Sequence, residues 1–187
     1  MDDKWKQFPL HAKSLTGVLT PEECEAIKND ALALGMSRAL VRTAKGVKQQ
    51  SYRTSDLVQL PRTKESEWLY ERLMARGEAA NAEYWHFTLN GIEEIQILRY
   101  KPWQSFKWHY DTFPGSARKL TCVVNLSPPQ SYWRGRLEVR GRHGRNAITR
   151  QQGAGTWFPT YLLHRATPPW WGERWALVTW LTGPAWI

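Results

Sequence analysis

The first 90 positions carry apolar residues at helical spacing in two segments. Thr20, Pro21 and Glu23 have the pattern of an N-cap, a proline at the first helical position and a capping-box glutamate, and Gly35 predicts the end of that helix. A second helix is predicted to begin near Ser66. Both helices are expected to pack on the outside of a sheet. The positions predicted to face the core are Cys24, Ile27, Ala31 and Leu34, and then Trp68, Leu69, Leu73 and Met74.

From about residue 93 the pattern changes to short apolar runs separated by Gly, Pro and Asn, which is typical of strands and turns. Residues 51–60 form an earlier strand-like segment. Short strands after a helical lead-in predict a mainly β protein with flanking helices (α+β), whose double-sheet jelly roll holds a pocket between its sheets. The predicted strands are Glu94–Tyr100, Ser105–His109, Leu120–Leu126, Arg136–Val139, Ala147–Gln151, Thr156–Phe158, Leu163–Thr167 and Arg174–Leu181.

Alternation along two strands predicts which side chains enter the pocket. On the last strand, Trp175 and Leu177 are expected to pack outside. On the strand from Leu120, the even-numbered residues form an apolar face that suits a helical cover. The residues expected to face the pocket are Thr121, Val123 and Asn125 on the earlier strand and Arg174, Ala176, Val178 and Trp180 on the last.

The length of 187 residues predicts one domain, 1–187, with the lead-in at about 1–92 and the jelly-roll core at about 93–187. Lys and Arg exceed Asp and Glu by 26 to 17, and much of the excess lies in the stretch Arg134–Arg150. This stretch is either a solvated face or a site for an anionic partner. Cys24 and Cys122 are predicted to be buried free thiols. With no apolar membrane segment or signal peptide recognised, a cytoplasmic location is expected.

His109, Asp111 and His164 form the most informative chemical pattern. On a strand, His109 and Asp111 leave the same face, and His164 arrives from a distant strand. Two imidazoles and one carboxylate can hold Fe(II) on one side and leave the opposite positions open for a co-substrate and dioxygen. Arg174, ten residues after His164, can receive the far carboxylate of an organic acid bound to that metal. The layout predicts an oxygenase.

With these motifs in order, the chain resembles the 2-oxoglutarate- and Fe(II)-dependent dioxygenases, most closely their prolyl 4-hydroxylase-like branch. The resemblance implies a double-stranded β-helix, a cupin-like jelly roll. It covers about half of the chain at motif level, from Tyr100 to Trp180. The matching segments are LRYKPWQSFKWHYD (98–111), RKLTCVVNLS (118–127), WFPTYLLHRATPPWWGERWALVTW (157–180) and, more weakly, YRTSD (52–56).

The resemblance implies Fe(II) as cofactor, 2-oxoglutarate as co-substrate and O2, with catalysis residing in the metal centre. The reaction would hydroxylate a C–H bond and release succinate and CO2. The metal ligands would be His109, Asp111 and His164, and Arg174 would bind the distal carboxylate. Further co-substrate contacts are expected from Tyr100, Asn125, Thr121, Leu137 and Trp180.

The chain departs from the family pattern at two positions. Trp103 stands where a glycine is expected after Tyr-x-x, and Arg136 replaces a glycine or small polar residue beside Gly135. Both are expected at the substrate entrance, together with Trp133. Twelve tryptophans is a high count, and several near the ligand motifs are expected to wall the mouth of the pocket.

The substrate stays open between several classes. The leading hypothesis is a prolyl residue in a peptide or protein, since aromatic grooves bind extended proline-rich segments. A free amino acid or another small molecule, including an anionic one that the arginines recognise, is the alternative. A nucleic-acid demethylase is disfavoured because Trp180 stands where that branch carries a second arginine. A non-enzymatic jelly-roll binding module predicts loss of a ligand or of Arg174, and neither is missing. The sequence leaves the regiochemistry and the oligomeric state open.

Overall fold

Helix α1 begins where its capping residues predict. The computed structural model describes residues 10–38, 41–43, 46–48, 52–141 and 144–186, and α1 spans Pro21–Ala33. The Thr20 hydroxyl accepts a hydrogen bond from the Glu23 N–H at 3.2 Å, and the Glu23 carboxylate accepts one from the Thr20 N–H at 2.9 Å. This reciprocal pair satisfies two backbone donors that a helix start leaves free. Gly35, with φ +82°, follows the helix end as predicted.

Helix α2 spans Glu67–Tyr84. Leu69 and Leu73 are buried, as their spacing predicts. The prediction for Trp68 is wrong, because its side chain is exposed and lies under the guanidinium of Arg72, 4.6 Å from the ring centroid. A tryptophan at the rim of a helix face can cover a long cationic side chain instead of entering the core.

Sixteen strands are present in the described residues, and all their pairings are antiparallel. In chain order they are β1 (Lys13–Leu15), β2 (Ser37–Arg38), β3 (Val41–Thr43), β4 (Gly46–Lys48), β5 (Asp56–Leu60), β6 (Gly91–Ile92), β7 (Ile95–Tyr100), β8 (Phe106–His109), β9 (Arg118–Asn125), β10 (Tyr132–Arg134), β11 (Leu137–Gly141), β12 (Gly144–Ala147), β13 (Gly155–Pro159), β14 (His164–Ala166), β15 (Pro169–Gly172) and β16 (Arg174–Thr182).

Two of the sheets build the jelly roll. The major sheet has the order β1-β13-β9-β16-β7-β5-β2, with β6 also paired to β16. The minor sheet has the order β12-β11-β14-β8. Two further two-stranded sheets, β10-β15 and β3-β4, complete the described strands. The predicted double-stranded β-helix with external helices is confirmed.

Alternation sorts the side chains of the major sheet into two cores. The outer core joins helical residues such as Cys24 and Leu73 to Cys122, Val124 and Leu177 of the sheet. The inner core lies between the two sheets. Its members include Leu98, Val123, Leu137, Phe158, Ala176, Val178 and Trp180. The predicted faces of β9 and β16 are therefore confirmed, and the inner face is the one that carries the pocket.

Seven of the eight predicted strands coincide with observed strands to within two residues. The exception is Ala147–Gln151, since β12 ends at Ala147. Beyond it one backbone bond continues, from the Ile148 N–H to Leu137 O at 3.3 Å, and side-chain bonds follow: Asn125 Nδ2 donates to Thr149 O at 2.7 Å, and Arg150 Nη2 donates to Tyr132 O at 2.7 Å. The lead-in is also less helical than expected, because β1, β2 and β5 extend the major sheet.

Cys24 and Cys122 are buried and free, as predicted. Burial raises the pKa of the Cys24 thiol to about 12 and that of Cys122 further. Across the described part of the chain, neither helix combines the length and the apolar character that a bilayer crossing requires.

Candidate active site

A cavity of about 480 Å³ opens between the major and minor sheets. Its deep wall is the inner face of β7, β9 and β16, and its other wall is formed by β8 and β14. It is lined by Tyr52, Arg53, Gln96, Leu98, Tyr100, Phe106, His109, Tyr110, Asp111, Phe113, Arg118, Thr121, Val123, Leu137, His164, Arg165, Ala166, Arg174, Ala176, Val178 and Trp180.

His109, Asp111 and His164 come together in this cavity. His109 ends β8, His164 begins β14, and the two are direct cross-strand partners. His164 Nε2 lies 3.2 Å from Asp111 Oδ2, and His109 Nε2 lies 3.6 Å from Asp111 Oδ1. One ligand atom from each of the three residues lies within 4.8 Å of the others. Two imidazoles and a carboxylate at this spacing can hold one Fe(II) ion.

Backbone carbonyls orient both imidazoles. Nδ1 of His109 is 2.8 Å from the carbonyl oxygen of Lys107, and Nδ1 of His164 is 2.9 Å from that of Leu162. Each Nδ1 therefore carries the proton and donates it to a carbonyl, which leaves the lone pair of each Nε2 directed toward Asp111. A histidine that binds a metal through Nε2 requires this arrangement, so the donor set fits a metal ion.

Burial and mutual interactions shift the pKa values of all three residues. Burial, with the nearby His164, lowers the pKa of His109 to about 4, so this imidazole is neutral. Burial alone would raise the pKa of the Asp111 carboxyl, but the two imidazoles lower it well below its usual range. Burial likewise opposes protonation of His164, yet the Asp111 carboxylate raises the pKa of that imidazole. Asp111 is thus an ionised carboxylate that faces two nitrogens.

Asp111 is held from behind by threonines. Thr121 Oγ1 on β9 donates a hydrogen bond to Asp111 Oδ2 at 2.7 Å. The backbone N–H of Asp111 donates to Thr160 O at 3.0 Å. Thr121, which the sequence suggested as a co-substrate contact, therefore contacts the carboxylate of a candidate metal ligand and fixes its orientation.

Arg174 lies at the deep end of the cavity and is buried. Its Nη2 donates to Asn125 Oδ1 at 3.1 Å, and its guanidinium is 5.5 Å from the centroid of the Tyr100 ring. Asn125 is held in turn by its own bond to the Thr149 carbonyl. Among the described residues no carboxylate pairs with Arg174. Its guanidinium is therefore positioned to receive the carboxylate of a small acid.

Tyr100 stands directly opposite Arg174 in the β7–β16 register. Burial raises the pKa of the Tyr100 hydroxyl, which keeps it protonated and able to donate a hydrogen bond. Leu137 and Trp180 line the same cavity, as predicted. Of the predicted co-substrate residues, Asn125 alone is absent from the lining, and it reaches the cavity through Arg174.

Sequence reasoning missed Arg53 and Phe106. The Phe106 ring stacks on the His109 imidazole, with centroids 3.5 Å apart and planes at 14°. The Arg53 guanidinium also lies over the Phe106 ring, 4.9 Å from its centroid. For Arg53 the sequence signal was the weak match of residues 52–56, whereas Phe106 lies within the matching segment 98–111. Tyr110 and Phe113 at the mouth are 57% and 63% exposed.

The predicted substrate residues Trp103, Trp133 and Arg136 do not line the cavity. Trp103 and Trp133 lie with Trp170 in an exposed cluster: the Trp103 and Trp170 rings stack at 5.6 Å, and Trp133 meets Trp170 edge-on at 5.2 Å. Arg136 lines an adjacent surface depression with Trp133 and Trp170. The tryptophans expected to wall the mouth are replaced there by Tyr52, Tyr110 and Phe113.

Trp103 has φ +68°, a left-handed backbone conformation that a side chain disfavours. This is the position where the sequence departs from an expected glycine. This backbone conformation explains why a glycine is expected at the position. The tryptophan that stands there instead adds a side-chain contact with Trp170. Its backbone N–H also donates to the Pro169 carbonyl at 2.9 Å, which ties the turn to β15.

Residues 95–182 match the sequence model of a family described as the 2OG-Fe(II) oxygenase superfamily. A PKHD-type hydroxylase of Shewanella baltica (strain OS185) is 34% identical over 44% of this chain and 40% of its own length. A PKHD-type hydroxylase of Paracoccus denitrificans (strain Pd 1222) is 29% identical with the same coverage. The match thus spans well under half of the length of these curated relatives.

Solved structures resemble nearly the whole chain. A Pseudomonas putida prolyl-4-hydroxylase has a TM-score of 0.74 at 15% identity, covering 92% of both chains. A Trichoplax adhaerens prolyl hydroxylase, in complex with a hypoxia inducible factor oxygen degradation domain peptide fragment, has a TM-score of 0.76 at 15% identity, covering 91% of this chain and 83% of its own. A collagen prolyl hydroxylase of Paramecium Bursaria Chlorella virus-1, in a 2OG complex, has a TM-score of 0.68 at 21% identity, covering 91% of this chain and 94% of its own. At these identities the likeness shows a shared fold.

Proposed function

Because residues 95–182 match the sequence model of the 2OG-Fe(II) oxygenase superfamily, we propose that the protein is an Fe(II)- and 2-oxoglutarate-dependent hydroxylase of the prolyl 4-hydroxylase-like branch. When bound, the metal with 2-oxoglutarate and O2 supplies the oxidant for a C–H bond, and succinate and CO2 are released. The chain's own residues bind, orient and enclose the reactants.

The observation that most directly supports this proposal is that two complementary groups share one cavity. The His109, Asp111 and His164 ligand atoms converge at one point of the cavity. Arg174, a buried guanidinium without an acidic partner among the described residues, lies in the same cavity. A metal-chelating acid with a second carboxylate matches both groups at once.

Each residue has a distinct proposed role. His109, Asp111 and His164 hold the metal. Arg174 binds the distal carboxylate of 2-oxoglutarate, and the Tyr100 hydroxyl donates to the same co-substrate. In this proposal the remaining four residues act around them: Asn125 orients Arg174, Thr121 orients Asp111, and Leu137 and Trp180 form apolar walls.

The proposed substrate is a prolyl residue of a peptide or protein. Three solved proteins that share the fold are prolyl hydroxylases, one of them in complex with a peptide fragment. An open aromatic mouth formed by Tyr52, Tyr110 and Phe113 suits an extended ligand. Trp103, Trp133 and Arg136 lie too far out to line the cavity, and we propose that they contact a more distant part of the same substrate.

A nucleic-acid demethylase is less well supported. Position 180 is a tryptophan, and the Arg118 guanidinium lies over its ring, 3.6 Å from the centroid. Arg118 also donates two hydrogen bonds to the Glu93 carboxylate, at 2.7 and 2.8 Å. The charge of Arg118 is therefore neutralised within the protein. Position 180 does not supply a second free arginine beside the co-substrate site.

The decisive experiment is an anaerobic titration of the protein with Fe(II) and 2-oxoglutarate, followed through the weak visible charge-transfer band of the chelate. Wild type is expected to give the band. His109→Ala is expected to abolish it, and Arg174→Ala to shift its appearance to higher 2-oxoglutarate concentration. Absence of both the band and iron uptake in the wild type would overturn the proposal in favour of a binding module.

A further inference from the structure

Arg53 is held rigidly at the side of the cavity that carries the candidate metal group. Its backbone forms an isolated antiparallel bridge with Phe106 at the start of β8. The flanking residues reinforce this bridge, because the Thr54 N–H donates to Ser105 O at 2.9 Å and the Lys107 N–H donates to Tyr52 O at 2.8 Å. The guanidinium is thereby fixed next to the strand that ends in a proposed ligand.

The Arg53 guanidinium is not satisfied by the protein. Its Nε is buried without a hydrogen-bond partner, and its Nη2 donates to the neutral Gln96 Oε1 at a long 3.3 Å. No carboxylate among the described residues forms an ion pair with it. Burial lowers the pKa of the group, and the nearby Tyr100 and the Asp111 carboxylate oppose this shift without reversing it. Burying a guanidinium in this state costs free energy unless a ligand completes it.

The other cavity cations are already matched. Arg118 is paired with Glu93 at 2.7 Å and Arg165 with Glu138 at 2.8 Å. Arg174 is anchored by Asn125 and, under the proposed function, receives the distal carboxylate of 2-oxoglutarate. Arg53 is anchored elsewhere, by Gln96. Gln96 and Tyr100, the residue opposite Arg174, are four residues apart on β7, which separates their Cα atoms by roughly 13 Å.

We propose that Arg53 binds a carboxylate of the primary substrate, so that the enzyme selects a substrate that carries a carboxylate near the hydroxylated carbon. The inference rests on the proposed function and names its substrate class. The carboxylate comes either from a free or N-acylated amino acid or from an acidic residue of a peptide. Both sources present the same two oxygens to the guanidinium fork, beside Phe106 and facing the metal group.

The test measures binding instead of turnover, with two matched pairs of probes. The first pair is N-acetyl-L-proline and N-acetyl-L-prolinamide. The second is acetyl-Ala-Pro-Asp-Ala-amide and the same peptide with Asn in place of Asp. Each is titrated calorimetrically into the anaerobic protein loaded with Fe(II) and 2-oxoglutarate. The variants are Arg53→Gln, Arg53→Lys and, as a matched charge control, Arg140→Gln, whose exposed guanidinium lies over Trp108 outside the cavity.

Wild type is expected to bind the acid of at least one pair roughly tenfold or more tightly than its amide, the effect of one charge-assisted contact. The pair that shows the preference identifies the source of the carboxylate. Arg53→Gln is expected to abolish the preference, Arg53→Lys to retain part of it, and Arg140→Gln to leave it intact.

Two results would overturn the proposal. The first is that the acids and amides bind alike, or not at all, in wild type. The second is that Arg53→Gln weakens 2-oxoglutarate instead of the acid probe, which would make Arg53 a co-substrate ligand. The 2-oxoglutarate chelate band, recorded in every sample, separates these results from a failure of the proposed function, because in that case no band forms in wild type.

Discussion

Replacing Thr121 by valine removes one hydroxyl group from the wall behind Asp111 and keeps the shape of the side chain. The hydroxyl donates to Asp111 Oδ2 at 2.7 Å; Thr121 is buried, and the Asp111 side chain is 9% exposed. A hydrogen bond to a charged group contributes about 1.5–3 kcal/mol. Because Asp111 is proposed to hold the metal in this orientation, most of that free energy should appear as lost metal affinity. A loss of about 1.4 kcal/mol is tenfold, so a roughly 10- to 100-fold weaker metal affinity is expected.

The assay is an anaerobic competition titration of Fe(II) against a chelator of known affinity, repeated with Co(II). Thr156→Val is the matched control, because Thr156 is equally buried and its hydroxyl bonds Ser14 at 2.9 Å, away from the cavity. The control should lose stability without losing metal affinity. If Thr121→Val binds Fe(II) as tightly as wild type, Asp111 does not depend on this hydrogen bond and the positioning role of Thr121 is refuted.

Three further outcomes test the fold. Gly77→Ala should destabilise the protein by about 1–3 kcal/mol in urea unfolding, despite the helix preference of alanine. The reason is that a Cβ at this position would overlap Leu181 Cδ2 and lie 2.9 Å from Trp157 Nε1. An increase in stability would show that the α2–sheet packing is wrong. Thr20→Ala should cost about 1 kcal/mol by removing the N-cap of α1, measured in the same way, and an unchanged midpoint would contradict the capping assignment. Cys24 and Cys122 should resist alkylation at pH 8 in the folded protein and react in denaturant, since burial raises both thiol pKa values and leaves little thiolate; labelling without denaturant would contradict their burial.

The candidate metal group was predictable because strand geometry fixes it locally. His109 and Asp111 are two residues apart, so extended backbone that continues past the end of β8 at His109 directs both toward one side. Once Arg174 was assigned to the pocket from its spacing after His164, alternation identified the rest of the inner face of β16. The partner His164 required knowledge of the order of motifs, because nothing local in the sequence specifies that it pairs with His109 across the minor sheet.

The surroundings of the group were less predictable because they depend on contacts between distant segments. Thr121 was identified as a pocket residue, but its hydrogen bond to Asp111 was not predicted, since that contact depends on how β9 lies relative to the end of β8. The exposed position of Trp103 and Trp133 depends on the β10–β15 pair, which short aromatic runs did not reveal as strands. Sequence patterns specify which face a residue occupies, whereas these roles depend on how the faces meet.

Arg53 shows why charge content alone does not locate a binding site. The arginines that dominate the composition cluster at 134–150, and among those whose side chains are described, Arg134, Arg136 and Arg140 are exposed. Exposed cations are solvated, so their clustering carries little free energy and indicates no particular ligand. Arg53 and Arg174 are isolated in the sequence, yet both enter one cavity without an acidic partner among the described residues. Because an uncompensated cation is costly only where water is excluded, burial rather than sequence clustering identifies the arginines that require a ligand.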